Sequence, residues 1–414
     1  MKIKPILFLM FSFINLFVIA QSDFSSPYSI YGIGQENLNY YGGFSAMGNT
    51  GIAYRSSSII INKSNPASLT TISKNSFLYE VGFNNTLSFQ KDKHVSQQNY
   101  DFNFTHLAMA FSVNKNWGMS FGIMPYSKVS YEIDIVQPVE GSLNDYITKV
   151  KGSGGLNEIF WGQGFKLRNN LSIGIELASL FGSISQEQWI YVGTSSTYLN
   201  DKNVYFSLGA NAGIQYSLNN FLGTKTILGA TINLPTVLRG SEASVGTKSS
   251  TIISSEFNQN ADDFNLPLKL GIGISSQINK NLLVNADYRK NYWDKTNQLD
   301  NTSSAYKDQT IYGIGFEFKP SSNLNSYWSN VKYRAGANYD SGYLHISNQN
   351  INRYSFSLGL GLPVSKNNFS STININYSYG REGTLSNGLI QDNYHKLSLN
   401  LSLLGNWFKK AKIF

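Results

Sequence analysis

The sequence predicts an all-β fold, a 14-stranded antiparallel transmembrane β-barrel with an N-terminal plug (hatch). Three observations predict it: a composition rich in aromatic residues and poor in charge, a long series of segments in which apolar and polar residues alternate, and a sorting of the connections by length. Such a barrel crosses a membrane with strands whose outer face meets lipid and whose inner face meets water.

Charged residues make up 14% of the chain, against about 25% in an average soluble domain. Aromatic residues also reach 14%, and there are 36 glycines. The chain has no cysteine, which excludes disulfides and thiolate metal sites. Its four histidines show no ligand-like spacing, so we expect no metal and no cofactor. The net charge of +8 fits an ordinary basic surface or attraction to an anionic lipid or ligand, and we expect no nucleic-acid partner.

Residues 1–20 have the pattern of an export signal. Lys2 and Lys4 precede an apolar run over 6–20, and cleavage is expected near Ala20/Gln21. This run is shorter than the roughly 20 residues that a membrane-spanning helix needs. We therefore expect an exported protein that reaches the cell outer membrane of a Gram-negative bacterium and crosses it with strands.

Alternation with period two, the strand pattern, begins at Ser76. In one clear case Leu358 and Leu360 alternate with Gly359 and Gly361. The predicted strands are 76–90, 99–114, 117–132, 157–168, 171–184, 203–218, 225–236, 267–278, 281–293, 308–319, 330–341, 352–364, 370–381 and 392–404. Their even number is that of closed bacterial barrels, although a two-layer sandwich would show the same alternation.

The connections favour the barrel over the sandwich. Short turns rich in Asn and Lys join strands 2 to 3, 4 to 5, 8 to 9 and 12 to 13, whereas 133–156, 185–202, 237–266 and 294–307 are predicted to be long loops. Outer-membrane barrels place short turns in the periplasm and long loops outside the cell. Both termini are then predicted to be periplasmic. The last strand, followed by aromatic residues up to Phe414, resembles the signal that barrel assembly machinery reads.

Residues 21–75 precede the strands and are predicted to form the hatch, with 76–414 as the barrel. The stretch Asn65-Pro66-Ala67 suits the start of a helical turn, with Asn65 as the cap and Pro66 at the first position. A capped turn before the first strand is the alternative. Fourteen strands enclose more space than wall side chains fill alone, which favours a plug.

Two neighbouring strands carry a defect. Pro125 follows Met124 within strand 3, and proline cannot donate a ladder hydrogen bond. Strand 2 changes phase at Thr105 and His106, as it would at a β-bulge. These four residues are candidates for a lateral gap in the wall, and the alternative is that Pro125 marks the outer end of a short strand.

Strand parity points Lys269, Arg289 and Arg334 into the lumen. They are candidates for binding a ligand carboxylate, and the alternative is a network of paired charges that fills the barrel. No G-x-S-x-G, H-E-x-x-H or P-loop motif is present. We therefore expect no enzymatic activity.

Three features resemble the FadL-type outer-membrane transport proteins, particularly their divergent branch in Bacteroidota-like bacteria. Asn65-Pro66-Ala67 follows a Gly-rich segment containing Ala46-Met47-Gly48, fourteen strands follow, and 152–156 leads into strand 4. The resemblance implies a hatch inside the barrel and diffusive uptake of hydrophobic small molecules, such as long-chain fatty acids, with lateral exit at strand 3. Outer-membrane lipid and the ligand are then the partners. The alternative is a barrel that docks a protein partner at its extracellular loops in protein secretion.

Overall fold

The structure, a computed structural model, describes residues 26–37, 42–55, 60–138, 145–192, 195–221, 223–249, 251–296, 298, 304–320, 326–364 and 371–406. The predicted export signal and the aromatic end beyond the last strand lie outside these residues. Within them, no helix is long and apolar enough to cross a membrane.

Fourteen strands form one closed antiparallel barrel, which confirms the predicted fold class. They are β1 (Ser76–Lys91), β2 (Ser96–Asn114), β3 (Trp117–Pro125 and Ser127–Pro138), β4 (Asp145–Arg168), β5 (Leu171–Val192), β6 (Ser195–Phe221), β7 (Thr224–Asn233 and Thr236–Lys248), β8 (Thr251–Asn260, Phe264–Leu266 and Lys269–Gln277), β9 (Leu282–Asn291), β10 (Gln309–Phe318), β11 (Lys332–Asp340), β12 (Arg353–Pro363), β13 (Thr372–Gly383) and β14 (Gln391–Asn406). Each strand pairs with the next, and β14 pairs with β1 along its whole length.

The outer face of the barrel is apolar and carries an aromatic row. Tyr288, Tyr312, Tyr339 and Tyr354 are successive register partners on β9 to β12. Exposed apolar residues also cover this face elsewhere, such as Leu208 on β6, which is 72% exposed. Because tyrosines in barrels sit at the membrane–water interface, the row marks the outer edge of the membrane band.

The wall is much taller on one side than on the other. Strands β4, β5 and β6 have 24, 22 and 27 residues, whereas β9 to β13 have 9 to 12. A membrane strand needs about 9–11 residues, so the long strands continue as a sheet beyond the band. Most of the loops predicted at 133–156, 185–202 and 237–266 are therefore strand, and the loop prediction is wrong there. Both faces of this extension meet water, so polar residues hid the alternation.

A cap closes the lumen at the end predicted to be extracellular. Trp293, fully buried, stacks on Tyr343 with ring centroids 4.5 Å apart and lies 5.3 Å from the Tyr306 ring. Tyr306 belongs to a small three-stranded sheet, Ser304–Tyr306, Leu344–Ile346 and Gln349–Asn350, built by the connections that follow β9 and β11. Burial raises the pKa of the Tyr343 hydroxyl well above its usual range, so it stays neutral and donates to Gly34 O at 3.2 Å.

The N-terminal segment runs through the barrel from this cap to the opposite end. The Tyr28 hydroxyl donates to Ile390 O, in the connection between β13 and β14, at 2.6 Å. Short 3₁₀ helices follow at Pro27–Ile30, Gly42–Ala46 and Pro66–Thr71, and β1 begins at Ser76. Tyr28 thus lies at the end opposite to the one predicted for both termini, and the start of the mature chain, before Ser26, lies outside the described residues.

Candidate functional site

The Asn65-Pro66-Ala67 stretch forms a capped turn that also contacts the wall. Asn65, fully buried, accepts from Ala67 N at 3.0 Å as the cap of the Pro66–Thr71 helix. Its amide donates to Ile52 O at 2.8 Å in the hatch and to Ile214 O on β6 at 3.2 Å. The two alternatives from the sequence therefore coexist, since the turn is capped and is also bonded to the lumen wall.

The wall facing this turn is built from glycine. A Cβ added at Gly213 would overlap the Asn65 side chain, and one at Gly174 would overlap the backbone of Ala67. A similar overlap at Gly336 would involve Gly48 of the hatch. Glycine at these inward positions lets the hatch backbone lie directly on the sheet, which accounts for part of the high glycine content.

Buried ion pairs hold the hatch to several strands. Lys63 of the hatch bonds Glu158 on β4 at 2.7 Å and also Glu176 on β5, with its ammonium 4.8 Å from the centre of the Phe160 ring. Removing one partner of a buried pair leaves an uncompensated charge that costs about 3–5 kcal/mol. These contacts hold the part of the hatch around Lys63 to β4 and β5.

The three lumen cations singled out from the sequence are all engaged. Lys269 bonds Glu36 of the hatch at 2.7 Å. Arg289 bonds Asp287 at 2.8 Å, and the same carboxylate accepts from the hatch amide of Gly51 at 2.7 Å. Arg334 bonds Glu317 at 2.8 Å and Asn374 at 2.8 Å. These ion pairs agree with the paired-charge network that the sequence left as the alternative, and a ligand carboxylate on the three cations stays a prediction.

The barrel wall is open between β2 and β3. These strands pair only from Leu107↔Ile123 to Asn114↔Trp117. Beyond that point, residues 96–106 pair with β1 alone, and no ladder among the described residues joins them to 127–138. The edge of the second β3 segment instead receives the hatch strand Gln35–Glu36.

Local sequence explains the opening. Pro125 ends the first β3 segment, and Tyr126 N bonds Leu156 O at 2.8 Å before the second segment begins. On β4, Gly154 and Gly155 have φ of 106° and 138°, values open only to glycine without strain. The ladder therefore bends here and carries the second segment away from β2.

The other predicted gap residues lie at the end of the opening where the β2–β3 ladder stops. Gly82 pairs with His106 and Phe83 with Phe104, so Thr105 is the extra residue of a bulge, as the phase change predicted. His106 is buried, and its Nε2 lies 3.1 Å from Asn400 Nδ2 on β14. Met124 is buried in the core that the hatch shares with the wall.

Behind the opening lies a chamber of about 890 Å³. Its lining is mixed: charged side chains such as Asp101, Lys128 and Lys396 face it together with apolar ones such as Phe181 and Phe206. Within the described residues, no group of three His, Asp or Glu is arranged to hold a metal ion. The chamber is suited to a polar group and the opening to an apolar chain in the membrane.

One ion pair spans the opening. Lys128 on β3 bonds Asp101 on β2 at 2.6 Å and Asn103 at 3.0 Å. Neither this pair nor Lys396 was among the residues predicted from the sequence. Strand parity was the only available signal, because it turns both cations inward without saying what lies opposite.

Comparison with known proteins gives the chain a family and a fold. A family model described as BamG matches residues 2–414. The fold is similar to that of the toluene transporter TbuX of Ralstonia pickettii, with a TM-score of 0.60 at 17% identity over 90% of this chain and 100% of that one. It is also similar to a FadL homologue of Pseudomonas aeruginosa, with a TM-score of 0.57 at 12% identity over 89% and 100%. No curated protein matches the chain.

Proposed function

The chain belongs to the BamG family, and from the geometry of its wall we propose that it is an outer-membrane channel for diffusive uptake of hydrophobic small molecules. The opening between β2 and β3 carries this proposal, because it joins a lumen chamber to the membrane. Residues 1–20 as signal peptide, 21–75 as hatch and 76–414 as barrel belong to the same proposal.

The ligand class follows from the two surroundings that meet at the opening. An acyl or aromatic chain fits the lipid-facing side, where Phe102 is 56% exposed. A polar group fits the chamber, since burying it unbonded in the membrane would cost several kcal/mol. Long-chain fatty acids and similar amphipathic compounds meet both requirements. We propose no enzymatic activity and no cofactor.

The test is to lock the opening and measure uptake. Because the chain has no cysteine, the double variant Asn103→Cys/Lys128→Cys can be joined by a short reducible bis-maleimide. Uptake of a fluorescent long-chain fatty acid by cells or proteoliposomes should fall severalfold on cross-linking and recover on reduction.

The matched control is Ser185→Cys/Lys202→Cys, whose positions are register partners on β5 and β6 where the wall is continuous. Cross-linking this pair should leave uptake unchanged. Equal uptake before and after locking the opening would contradict the proposal.

A second function, docking of a protein partner in secretion, is favoured by the tall sheet. Its free end exposes apolar side chains that lie beyond the membrane band, including Val136, Ile252 and Phe257. Shortening the hairpin between Thr247 and Ile252 should then remove a co-purifying protein while fatty-acid uptake is retained. Loss of uptake with no change in bound protein would reject docking.

A further inference from the structure

We propose that Lys396 is the centre of a binding site for the anionic headgroup, phosphate or carboxylate, of a membrane amphiphile that enters through the wall opening. The site lies inside the barrel, between β12 and β14. The inference rests on the proposed function in one respect only, the use of this opening.

Among the described residues, Lys396 is the one cation of the chamber that is at least half-buried and has no ion pair. It lies on β14, half-buried, with its ammonium 5.8 Å from the centre of the Tyr394 ring. Across the described part of the chain it has no ion pair and no hydrogen-bond partner. Lys128 and Arg353, in contrast, bond Asp101 and Glu382 at 2.6 Å each.

The carboxylates of the chamber are already satisfied. Asp392 accepts from the Ser88 hydroxyl at 2.6 Å. Glu382 accepts from Gln35 at 2.7 Å and from Arg353. Among the described residues, Asp101 and Glu382 lie near Lys396 but no carboxylate forms an ion pair with it, so the ammonium is free to bond an incoming anion, and this attraction is stronger in a partly enclosed space than in bulk water.

A second donor points to the same ligand class. Arg353 lines the same two cavities as Lys396, and its Nε is buried with no hydrogen-bond partner among the described residues. A buried guanidinium N–H without an acceptor is rare in folded proteins. A phosphate or carboxylate oxygen would satisfy it and pair with Lys396, because both groups accept several charge-assisted hydrogen bonds.

The height of the site identifies the ligand as a membrane amphiphile. His395, the outward-facing neighbour of Lys396, is the register partner of Tyr379 near the aromatic edge of the membrane band. Lipid headgroups lie at this level. A headgroup at Lys396 would leave its chain at the depth of the opening, whereas a free anion would need no such alignment.

The experiment measures binding to the whole protein purified in a maltoside detergent, by native mass spectrometry at graded ligand concentrations. The probes are dodecyl phosphate, dodecanoate, dodecyltrimethylammonium and inorganic phosphate. Lys396→Met should weaken binding of at least one dodecyl anion tenfold or more, whereas Lys396→Arg should keep it within about threefold. Lys225→Met, at an exposed lysine outside the chamber, is the control and should bind like wild type.

Several outcomes overturn the proposal. Unchanged binding of both dodecyl anions to Lys396→Met would exclude the site, and equal binding of the ammonium probe would exclude anion selectivity. Inorganic phosphate binding as tightly as dodecyl phosphate would replace the amphiphile with a free anion. The ratio between the two dodecyl anions decides between phosphate and carboxylate.

The two proposals fail separately. If locking the opening blocks uptake but Lys396→Met binds normally, the channel stands and the headgroup site does not. If Lys396→Met loses binding while the locked barrel still takes up fatty acid, the headgroup site stands and lateral passage does not.

Discussion

The two sides of the β1–β2 hairpin are joined to the barrel in different ways. On one side, β1 pairs with β14 through an unbroken ladder from Ser76↔Asn406 to Lys91↔Gln391. On the other side, β2 pairs with β3 only up to Leu107↔Ile123, and beyond that the Lys128–Asp101 ion pair spans the distance. The β1–β14 junction, which we call the closed seam, is held by backbone hydrogen bonds. The β2–β3 junction beyond Leu107, which we call the open seam, is bridged by side chains. The second can change without unfolding the barrel.

Breaking the closed seam should have the largest effect. In Leu399→Pro, the proline removes a ladder donor from β14 between two paired strands and costs about 3 kcal/mol or more. The heat-modifiable gel shift of the folded barrel should be lost. Because β3 already accommodates Pro125 at its break, a folded Leu399→Pro protein would contradict the distinction between the seams.

Loosening the hatch should have the next largest effect. Lys63→Met leaves Glu158 and Glu176 buried without their cation, at a cost of about 3–5 kcal/mol. The barrel should still fold, but channel conductance in planar bilayers and protease sensitivity of the hatch should rise. Lys74→Met, at an exposed position beside β1, is the control. Wild-type conductance in Lys63→Met would show that the hatch does not depend on this pair.

Repairing the open seam should have an intermediate effect. Pro125→Thr restores a backbone donor at the break in β3 and should narrow the opening. Fatty-acid uptake is then expected to fall about two- to fivefold, a loss of under about 1 kcal/mol. Pro363→Thr, at the end of β12 on a continuous ladder, should not change uptake. Equal uptake by Pro125→Thr and wild type would show that the proline does not control the width of the opening.

Removing the Lys128–Asp101 ion pair should have the smallest effect on stability. Lys128→Met deletes a partly exposed pair that contributes about 0–1 kcal/mol. Urea or thermal stability should therefore stay close to wild type, while labelling of a cysteine placed at Asn103 by a membrane-soluble maleimide should become faster. An unchanged labelling rate would show that the ion pair does not limit access.

Much of this architecture could be predicted from sequence, because membrane strands repeat one simple alternation. The runs around Leu358 and Leu399 show it clearly. The extensions around Ile147 and Tyr198 were predicted as loops, because a sheet with water on both faces needs no apolar periodicity.

The site could be predicted only in outline. Pro125 and the phase change at Thr105 indicated a weak place in the wall, since both act on the backbone of their own strand. The pairing of Lys269 with Glu36 depends on the path of the hatch. Parity gives the face on which a side chain lies, not the residue opposite it.

The path of the N-terminal segment also sets an order of events in assembly. Tyr28 is bonded at the capped end, yet the same segment leaves the opposite mouth at Ser76 to begin β1. A lumen this crowded leaves little room for later threading past Asn65 and its glycine wall. We infer that the strands close into a ring around a segment that is already in place.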